Sequence, residues 1–270
     1  MSRKLHKFQT VAEYQAYSAS TDYTTPCVAV VEENNVIYYD YGDNKPQPNY
    51  TDFKVSSRSL VSDGGNTYGR NEKLCLNYIP SGVTSLNGAF GSWSSLEEVT
   101  CKIPDSVTNM SGTFFGCSSL VTAPEIPDSV TNIELTFRDC TRLVTALEIP
   151  NSVTSMTLTF YGCSSLVNAP EIPNSVTNMN STFGTCTSLV NAPVIPNSVT
   201  SMNSTFNGCS SLKEVTFLHT TPPSYNNTLS GCSKLETIYV PDSAVEDYKT
   251  ATGWSQFASK IKPLSEKPSE

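Results

Sequence analysis

Large apolar residues return along this chain every 23 residues, separated by polar stretches rich in Ser, Thr and Asn. Leu120, Leu143, Leu166, Leu189, Leu212 and Leu235 form one column, and Cys117, Cys140, Cys163, Cys186, Cys209 and Cys232 stand three residues before them. Phe114, Phe137, Phe160, Phe183 and Phe206 stand three residues before the cysteines, with Leu229 in that place in the last turn. A fourth column, Pro104, Pro127, Pro150, Pro173 and Pro196, always follows Ile and precedes Asp or Asn, then Ser-Val-Thr. Such a fixed period marks a structural repeat whose single unit cannot bury its own apolar face.

The fixed apolar set of one unit, Cys163, Leu166, Ala169, Ile172, Val176, Met179 and Phe183, is predicted to point inward from a coil of chain. Stacked coils cover one another, and each large side chain fully buried contributes roughly 1.5–3 kcal/mol. Proline after Ile ends a short extended segment, having no N–H for a ladder and disfavouring helix just before it. Asn or Asp with the following Ser then favours a turn. Each unit therefore reads as strand, corner, second extended segment or tight helical turn, corner. Leu96 begins the array; its interval to Leu120 is one residue longer than the others, and the extra residue lies within 96–103. Trp93 takes the cysteine position in that first turn, and residues 71–80 are predicted to form the entry turn.

The run Ile-Pro-Asn-Ser-Val-Thr-Ser-Met through Thr-Phe-Tyr-Gly-Cys-Ser-Ser-Leu, from Ile149 to Leu166, resembles the BspA-like, or Treponema-type, leucine-rich repeat. The resemblance covers about residues 70–262. It includes a C-terminal cap, in which Asp242 or Ser243 is expected to cap a helix through Lys249 while Trp254 and Phe257 cover the open end. It implies a mainly β fold with short helical turns, a right-handed leucine-rich-repeat solenoid that binds other molecules and has no catalytic apparatus.

Residues 1–55 do not repeat. Residues 10–19 place Val11, Tyr14 and Tyr17 at helical spacing, and the β-branched and aromatic runs from Cys27 and Val36 flank Glu33-Asn34-Asn35 as a hairpin. This small α+β module is marginal alone. It is expected to attach to a partner or to copies of itself, as a homo-oligomer and plausibly a trimer. Residues 42–49 read as a turn-rich linker, 56–70 as the linker to the solenoid of 71–262, and 263–270 as a polar tail. The helix-then-hairpin pattern, with Phe8-Gln-Thr-Val-Ala-Glu-Tyr and Thr25-Pro-Cys-Val-Ala-Val-Val-Glu, also resembles N-terminal modules of virion proteins from phages of Bacteroides-type gut bacteria, including crAss-like phages.

The net charge of −8 sets the surface against a phosphate backbone, which removes nucleic acid as a partner. No apolar run is long enough to span a bilayer, so no membrane insertion is expected, and residues 1–7 lack the apolar stretch of a secretory signal. With two histidines in 270 residues there is little material for imidazole chemistry. The cysteine column admits a disulfide ladder, a soft-metal site or buried thiols. Its even spacing, with no ligand pair two to four residues apart, favours reduced buried thiols and neither metal nor cofactor.

Two exposed columns are candidate binding positions. Glu125, Glu148 and Glu171 precede the Ile-Pro step, with Lys102 before and Val194 after them; they read as solvated carboxylates, with a weak divalent-cation site as the alternative. The residue after each Phe varies most, as Phe115, Arg138, Tyr161, Gly184 and Asn207, and is where a regular frame can place recognition. The sequence thus points to a non-enzymatic phage structural protein. Residues 1–55 would contact other virion proteins, and the solenoid a host-surface protein or glycan. The alternative is a BspA-like bacterial cell-surface adhesin.

Overall fold

In the computed structural model the described residues are 5–8, 27–31, 36–40, 47–49, 74–76, 79 and 83–268. The helix expected over 10–19 and the linker expected over 56–70 lie outside them.

In the N-terminal part, β1 (Leu5–Phe8), β2 (Cys27–Val31), β3 (Val36–Asp40) and β4 (Gln47–Asn49) form a sheet in that order. β2 and β3 pair antiparallel with Val31 opposite Val36, the hairpin read from the sequence. β4 corrects the reading of residues 42–49 as linker throughout, because Gln47–Asn49 add to the free edge of β3. Pro48 is tolerated there since an edge strand leaves one row of its backbone unpaired.

In the repeat array, β5 (Leu74–Leu76) runs parallel to β6 (Leu96–Val99). Leu74 faces Leu96 but Cys75 faces Glu98, so β6 bulges around Glu97, where the first turn carries its extra residue. Through the middle turns the strand position narrows to single parallel bridges, Thr122 to Thr145 to Asn168 to Asn191. Full strands return in β7 (Asn191–Ile195), β8 (Glu214–Phe217), β9 (Thr237–Val240) and β10 (Ile261–Pro263), all parallel. Pro124 and Pro170 each remove a ladder donor in the narrowed stretch, and Pro193 sits inside β7, where the register with β8 slips between Asn191 and Val194.

The far side of each unit is not a helix. It is a run of three overlapping tight turns, in which Thr113 N–H donates to Met110 O, Phe115 N–H to Gly112 O and Cys117 N–H to Phe114 O. An Asn at the start prepares this run by accepting the backbone N–H two residues on, as Asn132 Oδ1 does from Glu134 at 3.0 Å and Asn178 Oδ1 from Asn180 at 3.0 Å. Two left-handed residues per unit close it; one column comprises Ser92, Gly116, Asp139, Gly162, Thr185, Gly208 and Gly231, with φ from 58 to 77°.

The inward set is buried as expected, Ala169 alone being only partly so. Phe90, Phe114, Phe137, Phe160, Phe183 and Phe206 stack face to face at 5.5–5.7 Å between centroids, with adjacent planes within 2–18°. Trp93 meets Phe90 edge-on at 5.1 Å. At the other end Trp254 is fully buried, contacts Phe217, Tyr225 and Tyr248 edge-on, and donates Nε1–H to Pro223 O at 2.6 Å. Phe257 packs beside Tyr225.

The capping expectation is corrected. A 3-10 turn, Asp242–Ala244, precedes helix α1 (Val245–Thr250), and neither has a side-chain cap. Asp242 Oδ1 instead accepts the N–H of Ser265 at 3.0 Å, because the returning tail offers a donor that the 3-10 entry does not.

Replacing Phe160 with Ala interrupts the ring stack at its middle and is expected to cost about 3–5 kcal/mol in urea unfolding. An unchanged midpoint would refute its place in the core. Thr185→Gly removes a β-branched residue from a left-handed position and is expected to stabilise by about 1 kcal/mol, read as a higher unfolding midpoint.

Candidate functional site

Three columns of side-chain donors join successive turns, the Ser column being interrupted at Ser198, whose buried hydroxyl has no hydrogen-bond partner among the described residues. Thr136 Oγ1 donates to Met110 O at 2.7 Å, and Thr159, Thr182, Thr205 and Thr228 repeat the bond at 2.8–3.1 Å, all fully buried or nearly so. The thiols of Cys117, Cys140, Cys163, Cys186, Cys209 and Cys232 each lie 3.0–3.2 Å from the carbonyl oxygen of the Phe in the preceding turn. Ser106, Ser129, Ser152 and Ser175 donate to Val83, Val107, Val130 and Val153. His219 ends this last column, with Nε2 2.7 Å from Val199 O, and burial lowers its pKa; it is a structural residue.

The thiols are free, as the sequence predicted. Burial disfavours the thiolate and pushes Cys140 and Cys186 up to about 12 and Cys232 to about 11, with Cys117, Cys163 and Cys209 also raised. These groups hold the frame together and are unsuited to redox or metal chemistry.

On this frame the variable column is clamped by its backbone, and its side chains stand outside the hydrogen-bonded seam. The left-handed residue that follows it donates across the seam, Gly116 N–H to Arg138 O and Asp139 N–H to Tyr161 O, both at 2.7 Å. Phe115, Arg138 and Tyr161 thereby stand one above another. The Arg138 guanidinium carbon lies 5.5 Å from the Phe115 ring centroid and 5.3 Å from that of Tyr161, while Asp139 Oδ2 is 3.3 Å from Arg138 Nε. Gly184 is required beside them, since a Cβ there would sit 2.7 Å from the Tyr161 ring. Asn207 joins only through its carbonyl, which accepts from Thr185 N–H at 2.7 Å. Of the predicted column, three residues form one strip and Asn207 stands apart.

Glu125, Glu148 and Glu171 are exposed on successive turns. Glu125 lines a cleft of about 160 Å³ with Lys102, Asp105 and Asp128, and the Lys102 ammonium is taken by Asp105 at 2.9 Å. Among the described residues no group of three or more His, Cys, Asp or Glu is placed to hold a metal ion. Sequence reasoning missed Asp139 and the exposed valines at 121, 144 and 167; the signal of the valines was an apolar residue after Leu120, Leu143, Leu166 and Leu189 at a position the core does not use.

The model of the BspA type leucine rich repeat region, six copies, matches residues 65–190 and 136–251. The chain belongs to this family. Among solved structures, a leucine-rich repeat protein from Bacteroides ovatus ATCC 8483 is 21% identical over 90% of this chain and 77% of that one, with a TM-score of 0.43. A leucine rich cell surface protein from Faecalibacterium prausnitzii A2-165 is 22% identical over 66% of this chain and 63% of that one, with a TM-score of 0.29. No curated protein matches the chain.

Because the thiol pKa values are raised on folding, their contribution is complete below the unfolded value near 9 and is lost as pH rises through the folded values near 11–12. The melting temperature is expected to fall progressively above about pH 9, and less steeply in Cys140→Ser/Cys186→Ser; identical slopes would contradict this.

Proposed function

We propose that this BspA-type repeat protein is a non-enzymatic binding protein of a bacterial cell surface, holding the Phe115–Arg138–Tyr161 strip against another protein. The observation that carries the reading is the guanidinium fixed between two rings on a hydrogen-bonded ladder. Arg and Tyr are the residue types that dominate interface energetics, and side chains already ordered lose little entropy on binding. Nothing in the comparisons supports the virion reading suggested by the N-terminal segments, and the family match favours the surface alternative. Self-association through residues 1–55 fits this role, since several copies raise avidity without new contacts.

Protease treatment of intact cells of the source bacterium is expected to release peptides of the array, and beads coated with the protein are expected to adhere to partner cells. Arg138→Ala/Tyr161→Ala should cut adhesion about tenfold or more while the melting temperature falls only slightly. Recovery of the polypeptide solely in purified phage particles would overturn the location, and unimpaired adhesion by the double variant would overturn the strip.

A further inference from the structure

The strand side of the array carries a second surface, remote in sequence register from the strip. Val121, Val144 and Val167 are 37, 43 and 39% exposed on consecutive turns, an apolar column open to solvent. The backbone links Val144 to Val121, whose O accepts the Val144 N–H at 2.9 Å, and Val190 to Val167, whose O accepts the Val190 N–H at 3.4 Å. Leu147, 38% exposed, stands where other turns have proline and directly precedes Glu148. Val194, 44% exposed, continues the column of Glu125, Glu148 and Glu171. None of these three carboxylates has an ion-pair partner among the described residues.

The same column shows what covers it at its C-terminal end. Val194 is in register with Thr216, and Thr216 with Tyr239. There the chain's own tail returns: Ser265 is tied to Asp242, and Lys267 Nζ donates to Thr216 Oγ1 at 3.2 Å. The same ammonium lies 4.0 Å from Glu214 Oε1 and 5.9 Å from the Tyr239 ring centroid. Thr216 and Tyr239 are buried, whereas the glutamates two to four turns before Thr216 in the path of the column are open. A lysine on an apolar and polar strand face is therefore a fit that this surface already makes once.

We infer that the face formed by Val121, Val144, Val167, Leu147 and the glutamates at 125, 148 and 171 binds an extended segment of a partner protein in which Lys or Arg alternates with apolar residues. The inference deepens the binding role proposed above and rests on it. Neighbouring turns place equivalent carboxylates about 4.8 Å apart, and alternate side chains of an extended segment are about 6.6 Å apart. Two or three basic residues within five thus span the three glutamates, and the intervening apolar side chains lie toward the valines. Complementary charge sets the choice of partner and the apolar contact supplies area.

The test uses the full chain and a fluorescein-labelled peptide of alternating Lys and Val, with an alternating Glu and Val peptide as control, read by fluorescence polarisation. The Lys peptide is expected to bind, more weakly at high salt, and the Glu peptide is not. Glu125→Gln/Glu148→Gln/Glu171→Gln should weaken binding about tenfold, and Val144→Ser/Leu147→Ser should weaken it with the charge intact. Equal binding of both peptides, or an unaltered affinity in the triple Gln variant, overturns the inference. So does tighter binding of a peptide copying Ser2–Phe8, Ser-Arg-Lys-Leu-His-Lys-Phe, which would assign the face to a second copy of this chain. Loss of the peptide result with adhesion retained removes this inference alone; loss of adhesion in Arg138→Ala/Tyr161→Ala concerns the strip.

Discussion

Every property of the array follows from the seam between one turn and the next. At each seam the Phe backbone N–H donates forward to a Thr carbonyl at 2.9 Å, from Phe90 to Thr113 through Phe206 to Thr228. The buried Thr hydroxyl and Cys thiol of the later turn donate back. The rings stack in the same layer. A single turn has none of these partners, so its polar groups would be stranded beside its apolar ones; stacking satisfies both together.

That arrangement separates the residues that hold the frame from those that vary. The residue after each Phe has its N–H and its C=O engaged within the ladder, as Arg138 does with Leu135 and Gly116. Its side chain takes no part in the hydrogen bonds of the seam, so Phe, Arg, Tyr and Asn all occupy the position, with Gly where the Tyr161 ring leaves no room for a Cβ. The outcome in three consecutive turns is a cation held between two rings, a rigid feature built on positions free to change. The strand side shows the same separation, with exposed valines and glutamates on a backbone whose inward neighbours are Leu and Ile.

The period, the inward set and the free thiols were legible because each rests on residue type at a fixed spacing. Cys117 to Cys232 and Phe114 to Phe206 needed no geometry to be read as core. The Thr column was not legible in that way: Thr113 through Thr228 look like turn residues, and only the seam shows why a hydroxyl is kept inside the core. The strip was half legible, since the variable column could be named but the contact between Phe115, Arg138 and Tyr161 depends on a left-handed residue aligning successive turns. Asp242 failed as a cap because its partner, Ser265, is more than twenty residues away and belongs to a tail that sequence pattern gives no reason to place there. β4 was missed for a similar reason, its strand being defined by the edge it joins more than by its own Gln-Pro-Asn.

The direction of the donors at the seam gives the array an inheritance. Its coil side sends backbone hydrogens forward and its side chains send theirs back, so the lower face of any whole unit matches the upper face of any other. A gene that gains or loses a stretch encoding 23 residues keeps every seam intact, whereas one that gains part of a unit breaks two. Length is therefore the dimension along which such a protein can evolve in single steps, lengthening its displayed columns by one residue each time while its cross-section stays unchanged.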